Sequence, residues 1–288
     1  MQNTISPSSE SLSVQSLKYS PRDFIQEICM DENIGYETLS QDYIVRLTKD
    51  GITRHVLWSN WDTNNAVADR IACDKTACYQ VLNLCGVSAI EHVQLLHPLK
   101  RQGWTGVKGT WTQALEYFNT HGGKVVLKPN NGTNGRHVYL CDSVQTLEAA
   151  THAIFAEYPD AAISPFYDIK TEYRVFYVNG SCPLAYGKTP DADNWRHNLS
   201  QGAKAFELTC ESEQKKLAAL QEMAMQAARA IAINFATIDI VELANGQFCI
   251  MEINSGVQAR QLLEQMPHLR PMVKEIYAHA VKAMFGGS

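Results

Sequence analysis

"KVVLKPNNGTNGRHVYL", residues 124–140, sets an apolar run ending in a lysine against a loop of Asn, Gly and Thr, and then a second apolar run. Asn and Gly tolerate positive φ, so one Asn-Gly pair is enough for a tight hairpin. Here Asn131-Gly132 and Asn134-Gly135 stand three residues apart, which makes a longer loop with exposed backbone. Two readings follow: a plain turn, or a flap that covers a phosphate. A phosphate loop of the Gly-Lys-Ser/Thr kind is excluded, because that loop opens a helix and this one runs into the strand-like "RHVYLC". A protein-kinase arrangement is excluded too. There the lysine follows the loop, and the His-Arg-Asp and Asp-Phe-Gly triplets of a kinase are absent here. What remains is Lys128, ahead of a flap, with a strand on each side.

Upstream, "SPRDFIQEICMDENIG" reads as a helix stopping at Gly35, and "DYIVRLTKDGITRHVLW" as two strands around a Lys-Asp-Gly turn. "DKTACYQVLNLCG" is a short helix with Asp74 as N-cap, and "TWTQALEYFNTHGG" another, ended by Gly122 and Gly123. Downstream of the flap a helix covers "DSVQTLEAATHAIFAEYP", with Asp142 and Gln145 at capping-box spacing. "AAISPFY" and "EYRVFYVNG" are strands; "SEQKKLAALQEMAMQAARAIAIN" is a long amphipathic helix. "FATIDIVEL" and "QFCIMEINS" are strands joined by Ala-Asn-Gly, and "HLRPMVKEIYAHAVKAMF" closes the chain as a helix. The hairpins imply antiparallel pairing, hence α+β rather than a Rossmann sheet.

Composition narrows the function. The 288 residues are 45% hydrophobic and 19% charged, as in ordinary globular proteins. A net charge of -5 argues against a nucleic-acid binder, which needs basic excess. No apolar run has the length of a membrane span, and the Ser-rich start has no apolar core of a secretory signal. The eight cysteines form no C-x-x-C pair, so reduced, buried thiols in a cytoplasmic protein are expected, without a zinc site.

The second chemical stretch is "TIDIVELANGQFCIMEINS", residues 237–255. Residues two apart on a strand share a face. Glu252 and Asn254 therefore point one way, and Met251 and Ile253 the other, into apolar packing. Asp239 lies across the turn from Glu252. Carboxylates buried there need a cation or hydrogen bonds, and Mg²⁺ suits such oxygen donors; a metal-free polar network is the alternative. Arg174 sits mid-strand, and "NWRHNLSQGAKA" adds Arg196, His197, Asn198 and Lys204. Arginine suits bidentate contacts to phosphate or carboxylate. No general base is identifiable from the sequence: His197 is the nearest candidate, but its sequence neighbours offer no partner. "WSNWDTNN", residues 58–65, reads either as a substrate loop or as an aromatic pair packed on the lobe.

Taken in order, "DK", "VVLKPNNGTNG", "SPFY", "EYRVF", "WRHNLSQG", "IDIVE" and "MEINS" resemble the ATP-grasp superfamily over residues 70–285. The likeness is to the branch of glutathione synthetase, cyanophycin synthetase and ribosomal-protein glutamate ligases. The resemblance implies ATP held between two β-structured lobes, behind a short N-terminal α/β lead-in domain. The polar, Ser-rich start reads as a disordered lead-in (1–20), followed by an N-terminal domain (21–97), a central lobe with the flap (98–163) and a C-terminal lobe with the metal site (164–288). The resemblance implies ATP-dependent joining of a carboxylate to an amine through an acylphosphate, with ATP and Mg²⁺ or Mn²⁺. The substrates would be small molecules or peptides, without nucleic acid or membrane, in an assembly compatible with a homodimer.

By the same resemblance, Lys75 and Lys128 contact the ATP phosphates, and Asn130, Asn131, Gly132, Thr133, Asn134 and Gly135 form the flap. Pro165, Phe166 and Tyr167 meet adenine, and Glu172 holds the ribose. Arg174, Arg196 and Asn198 lie near the transferred phosphate. Asp239, Glu252 and Asn254 ligate the metal. Two departures leave the substrates open: "NSGVQ" at 254–258 has no proline where many relatives carry a Ser/Pro-Gly turn, and the lead-in domain, which in relatives often supplies carboxylate-substrate contacts, is short. A nucleotide-binding regulatory protein without turnover and a small-molecule phosphotransferase are the alternative functions.

Overall fold

The computed structural model describes residues 19–99, 109–133, 135–191, 197–209 and 211–287. The first helix, α1 (Pro21–Asp31), opens on a capping box in which Ser20 Oγ accepts from the Asp23 amide. It ends at Asp31 and not at Gly35, because Asn33 already takes φ 52° and Gly35 begins a strand. That strand, β1 (Gly35–Leu39), starts an antiparallel sheet with β2 (Ile44–Lys49), β3 (Ile52–Leu57) and β4 (Asn60–Trp61), in that order. Asp50 and Gly51 both have positive φ, 50° and 78°, the geometry of a two-residue hairpin whose twist matches its strands.

Two helices follow, α2 (Ala66–Cys73) and α3 (Lys75–Leu84). A second antiparallel sheet has the order β5-β8-β6-β7: β5 (Val93–Leu96), β8 (Asp160–Pro165), β6 (Val125–Pro129) and β7 (Tyr139–Cys141). It is backed by α4 (Thr110–Thr120) and α5 (Val144–Glu157), around Leu127, Leu147 and Ile154. The cap of α5 is one residue later than the sequence suggests. Ser143 holds the extended N-cap conformation and exchanges hydrogen bonds with Thr146, so Asp142 and Gln145 do not form the box.

The third sheet carries the chemistry. Its order is β11-β10-β9-β12-β13, all antiparallel: β11 (Lys204–Glu207), β10 (Ser181–Thr189), β9 (Ile169–Val178), β12 (Phe235–Leu243) and β13 (Phe248–Asn254). The long α6 (Glu211–Ile231) covers one face, where Ala224, Ala227 and Ala228 pack with Val175, Ile238 and Ile240. The opposite face changes character along its strands. Phe176, Val178, Leu184, Tyr186 and Phe235 join the core under α1, α7 (Arg260–Gln265) and α8 (Arg270–Met284). Two-residue steps from them reach Arg174 and Glu172 on β9, Lys188 on β10 and Asp239 on β12. Period-2 alternation thus puts an apolar anchor and a charged site on one face.

Trp61 stacks on Tyr277, 5.6 Å between centroids, and meets Phe235 edge-on at 5.0 Å. Asn64 Oδ1 accepts from the amides of Asn234 and Phe235, and Asn65 caps α2. Residues 58–65 accordingly contain core packing and capping, while Trp58 is exposed. The cysteines partly depart from expectation: Cys73 and Cys85 are exposed, whereas Cys29, Cys78, Cys141, Cys182 and Cys249 are buried free thiols. Among the described residues, no helix is long and apolar enough to cross a membrane.

Candidate active site

A cleft of about 230 Å³ lies between the flap-bearing sheet and the β9–β13 sheet. The chain passes from one sheet to the other along its wall, through Pro165, Phe166, Tyr167 and Asp168, between β8 and β9. Phe166 is held by its amide, which donates to the Lys124 carbonyl at 3.3 Å, and by the Lys124 ammonium, 3.9 Å from its ring centre.

Lys75 and Lys128 reach this cleft from different elements. Asp74 caps α3 by accepting from the Ala77 amide at 2.8 Å, which fixes Lys75 as the first helical residue. The Lys75 Nζ donates to the Gly132 carbonyl at 2.7 Å and stands 4.0 Å from Glu252 Oε2. Lys128 is buried and has neither hydrogen-bond nor ion-pair partner among the described residues. Burial, reinforced by the Lys75 charge, lowers its pKa to about 8. His92, two residues beyond Ile90 of the cleft wall, is also buried, with Nε2 unpartnered among the described residues. Burial and then the positive charges of Lys128 and Lys75 keep its imidazole neutral.

Asp239 is the electrostatic centre of the sheet. It is 1% exposed and pairs in register with Arg174 on β9 and Glu252 on β13. Arg174 grips it bidentately, Nε to Oδ1 at 2.8 Å and Nη2 to Oδ2 at 2.6 Å. Lys188 Nζ adds a bond to Oδ1 at 3.0 Å, and Asn254 Nδ2 one to Oδ2 at 3.2 Å. Burial alone would raise the Asp239 pKa; the Arg174 and Lys188 charges outweigh it and hold the carboxyl well below the usual range. Lys188 also pairs with Glu172, which lines the cleft.

These contacts decide how the expected metal trio fits a cation. A carboxylate offers about four acceptor positions, and Asp239 already accepts four donors. Among the described residues Glu252 has free acceptor capacity: Oε1 takes only a 3.2 Å bond from Asn254 Nδ2, and its side chain is 31% exposed. Glu252 and Asn254 suit direct oxygen ligation of Mg²⁺. Asp239 suits it only after giving up one of its donors. Among the described residues, no group of three or more His, Cys, Asp and Glu is placed to hold a metal.

The remaining sequence candidates divide. Gly132, Thr133 and Gly135 line the cleft, as does Asn198 opposite the flap. The fit is close: a Cβ on Gly135, which holds φ 66°, would come within 2.9 Å of Asn198 Oδ1. Asn131 is exposed. Asn130 is fully buried and turned toward α3, its Oδ1 accepting from the Thr76 amide at 3.1 Å and hydroxyl at 3.0 Å. It ties the flap's base to the helix that carries Lys75. Asn134 and Arg196 lie outside the described residues.

Met251 departs from expectation. It lines the cleft beside Glu252, because β13 bulges: Asp239 faces Glu252 while Ile240 faces Ile250, leaving Met251 as the extra residue. Sequence reading missed Lys188. Its signal was a lysine in the apolar run "PLAYGKT", residues 183–189, on the strand that follows the Asn179-Gly180 turn. Sequence reading also missed His92.

Comparison with known proteins agrees with this architecture. Alpha-aminoadipate–LysW ligase LysX of Saccharolobus solfataricus is 28% identical over 153 residues, covering 50% of this chain and 51% of that one. A protein named "Probable alpha-L-glutamate ligase", of Parasynechococcus marenigrum, is 27% identical over 139 residues, 47% of this chain and 28% of its own. The chain therefore spans about half, or less, of the length of these curated relatives. The crystal structure of D-alanyl-alanine synthetase A from Vibrio cholerae superposes with a TM-score of 0.62 at 11% identity, covering 92% of each chain, which is a likeness of fold. A RimK-like ATP-grasp domain model matches residues 72–267, most of the chain and the whole cleft-bearing region, so the chain belongs to the RimK-like ATP-grasp family.

Proposed function

We propose that the protein is an ATP-dependent carboxylate–amine ligase, forming an amide through an acylphosphate and releasing ADP and phosphate. The observation that carries this reading is Lys128, a buried lysine lining the cleft that forms no ion pair among the described residues, with Glu252 and Glu172 favouring its charge only from a distance. Such a group is costly unless a ligand supplies the charge, and the phosphates of ATP would. Lys75 would hold a phosphate oxygen from the other side. Gly132 and Gly135 would let the flap backbone approach closely enough to exclude water. Phe166 and Tyr167 would flank adenine, and Glu172, oriented by Lys188, would take the ribose hydroxyls.

Glu252 and Asn254 would hold Mg²⁺, which when bound neutralises phosphate charge and aligns the transferring group. Asp239 would act from behind, keeping Arg174, Lys188 and Asn254 in fixed positions. Arg174, Arg196 and Asn198 would serve the transferred phosphoryl group, where preorganised donors matter most. The relatives' names support an amino acid, or a chain end bearing one, as the substrate class.

The test begins with ADP release, scored across amino acids and short peptides singly and in pairs. With the stimulating carboxylate, hydroxylamine replaces the amine. A hydroxamate with ADP and phosphate as co-products is the expected result. AMP and pyrophosphate would mean adenylation and contradict the mechanism. A stable phosphorylated product inert to hydroxylamine would indicate a phosphotransferase, and MgATP binding without ADP from any pool would indicate a nucleotide-binding protein without turnover.

A further inference from the structure

We propose that His197 is the proton acceptor of the amide-forming step, taking the proton that leaves the attacking nitrogen. This rests on the ligase reading above. His197 lines the cleft just before the 3-10 turn Leu199–Gln201, whose Asn198 and Gln201 abut the flap at Gly135. Its side chain is 5% exposed, and among the described residues its buried Nε2 has no hydrogen-bond partner. An orphaned buried nitrogen is uncommon and points to a partner that arrives with substrate.

Of the other groups, Lys75 donates to the flap carbonyl and Glu172 pairs with Lys188, while the unpaired Lys128 and the free oxygens of Glu252 are assigned above to phosphate and cation. Among the described residues, the charged groups sharing the cleft with His197 are Lys75, Lys128, Arg136, Asp168, Glu172 and Glu252, and the Lys188 charge also acts on it. Burial, and then the Lys188 charge, draws its pKa down to about 4, so the ring is neutral and has a free lone pair at neutral pH. An acylphosphate beside it brings negative charge, which opposes the Lys188 effect and makes the imidazole more basic when the intermediate is present.

The step balances. The amine lone pair forms the C–N bond, and the carbonyl C–O bond to phosphate breaks with its electron pair leaving on phosphate. The amine enters as its ammonium: one N–H proton passes to the imidazole and frees that lone pair for attack, and a second passes to the departing phosphate. Positioned acid–base groups of this kind contribute about 100-fold or more.

The experiment compares two acceptors in the wild type, His197→Gln and His197→Asn, using the amino acid amine found by ADP release and hydroxylamine in parallel. Hydroxylamine is a weaker base than an amino acid amine and is already unprotonated at neutral pH. Both variants are expected to keep hydroxamate formation within a few-fold while amide formation falls about 100-fold. The lost amide rate should recover by about tenfold per pH unit as the amine itself deprotonates. Equal loss with both acceptors would mean that His197 positions the phosphate and would overturn the proposal, as would unchanged amide formation in both variants. Absence of hydroxamate and ADP in the wild type would instead overturn the ligase reading, and this proposal with it.

Discussion

Raising the pH from 7 to 9 should weaken MgATP binding and strengthen the unliganded fold at the same time. Both effects come from Lys128, whose pKa falls from an ordinary 10.5 to about 8 through burial beside Lys75. Between those values the folded lysine is neutral while the unfolded one is charged. The unfolded state then binds more protons, so stability rises with pH across that window. A shift of this size corresponds to about 3 kcal/mol at its limit, taking ~1.4 kcal/mol per unit.

Binding runs the other way. ATP phosphates favour the ammonium, so the free protein must take up a proton to bind once the pH exceeds 8. At pH 9 only about one molecule in ten carries the charge, and the dissociation constant should be about tenfold larger than at pH 7. Calorimetry at pH 8.5, in two buffers of different ionisation enthalpy, should show uptake of about three-quarters of a proton per MgATP. Lys128→Met should abolish the uptake, flatten the pH dependence and raise unliganded stability. Zero proton uptake by the wild type, with affinity unchanged between pH 7 and 9, would refute the placement of Lys128 against phosphate.

Glu252→Gln keeps the shape of a free-standing ligand but removes its charge, so Mg²⁺-dependent ADP formation should fall about 100-fold with the fold intact; near-normal turnover would remove Glu252 from the site. Asp239→Asn leaves the buried Lys188 and the part-buried Arg174 with half their compensation and should lower urea-unfolding stability by about 3 kcal/mol, whereas wild-type stability would contradict the hub role. Gly135→Val forces a β-branched residue to φ 66° and drives a Cβ into Asn198. It should raise KM for ATP and lower stability by about 1 kcal/mol or more; unaltered ATP kinetics would restore the plain-turn reading of the loop.

The architecture was legible where local chemistry and period agree. Asp74 as cap, the Lys-Asp-Gly and Ala-Asn-Gly turns and the α6 pattern each need only neighbouring residues, and each stands in the structure. The facing of Asp239 and Glu252 followed from strand period and turn length. What failed depends on partners distant in sequence or on backbone irregularity. A bulge is invisible to period-2 counting, so Met251 appeared on the wrong face. Asn130 looked like the rest of the flap because its partner, Thr76, is 54 residues away. Lys188 was missed because a lysine in an apolar strand resembles an edge residue until β9 and β12 bring Glu172 and Asp239 beside it. The saturation of Asp239 could not be counted without those neighbours.

The central claim is that the cleft activates a carboxylate by phosphorylation. It is tested most directly by labelling the carboxylate identified through ADP release with ¹⁸O in both oxygens and running the complete reaction. Transfer of one labelled oxygen into each inorganic phosphate released is the predicted result. Phosphate carrying no label, while amide and ADP still accumulate, would contradict the acylphosphate and the account built on it.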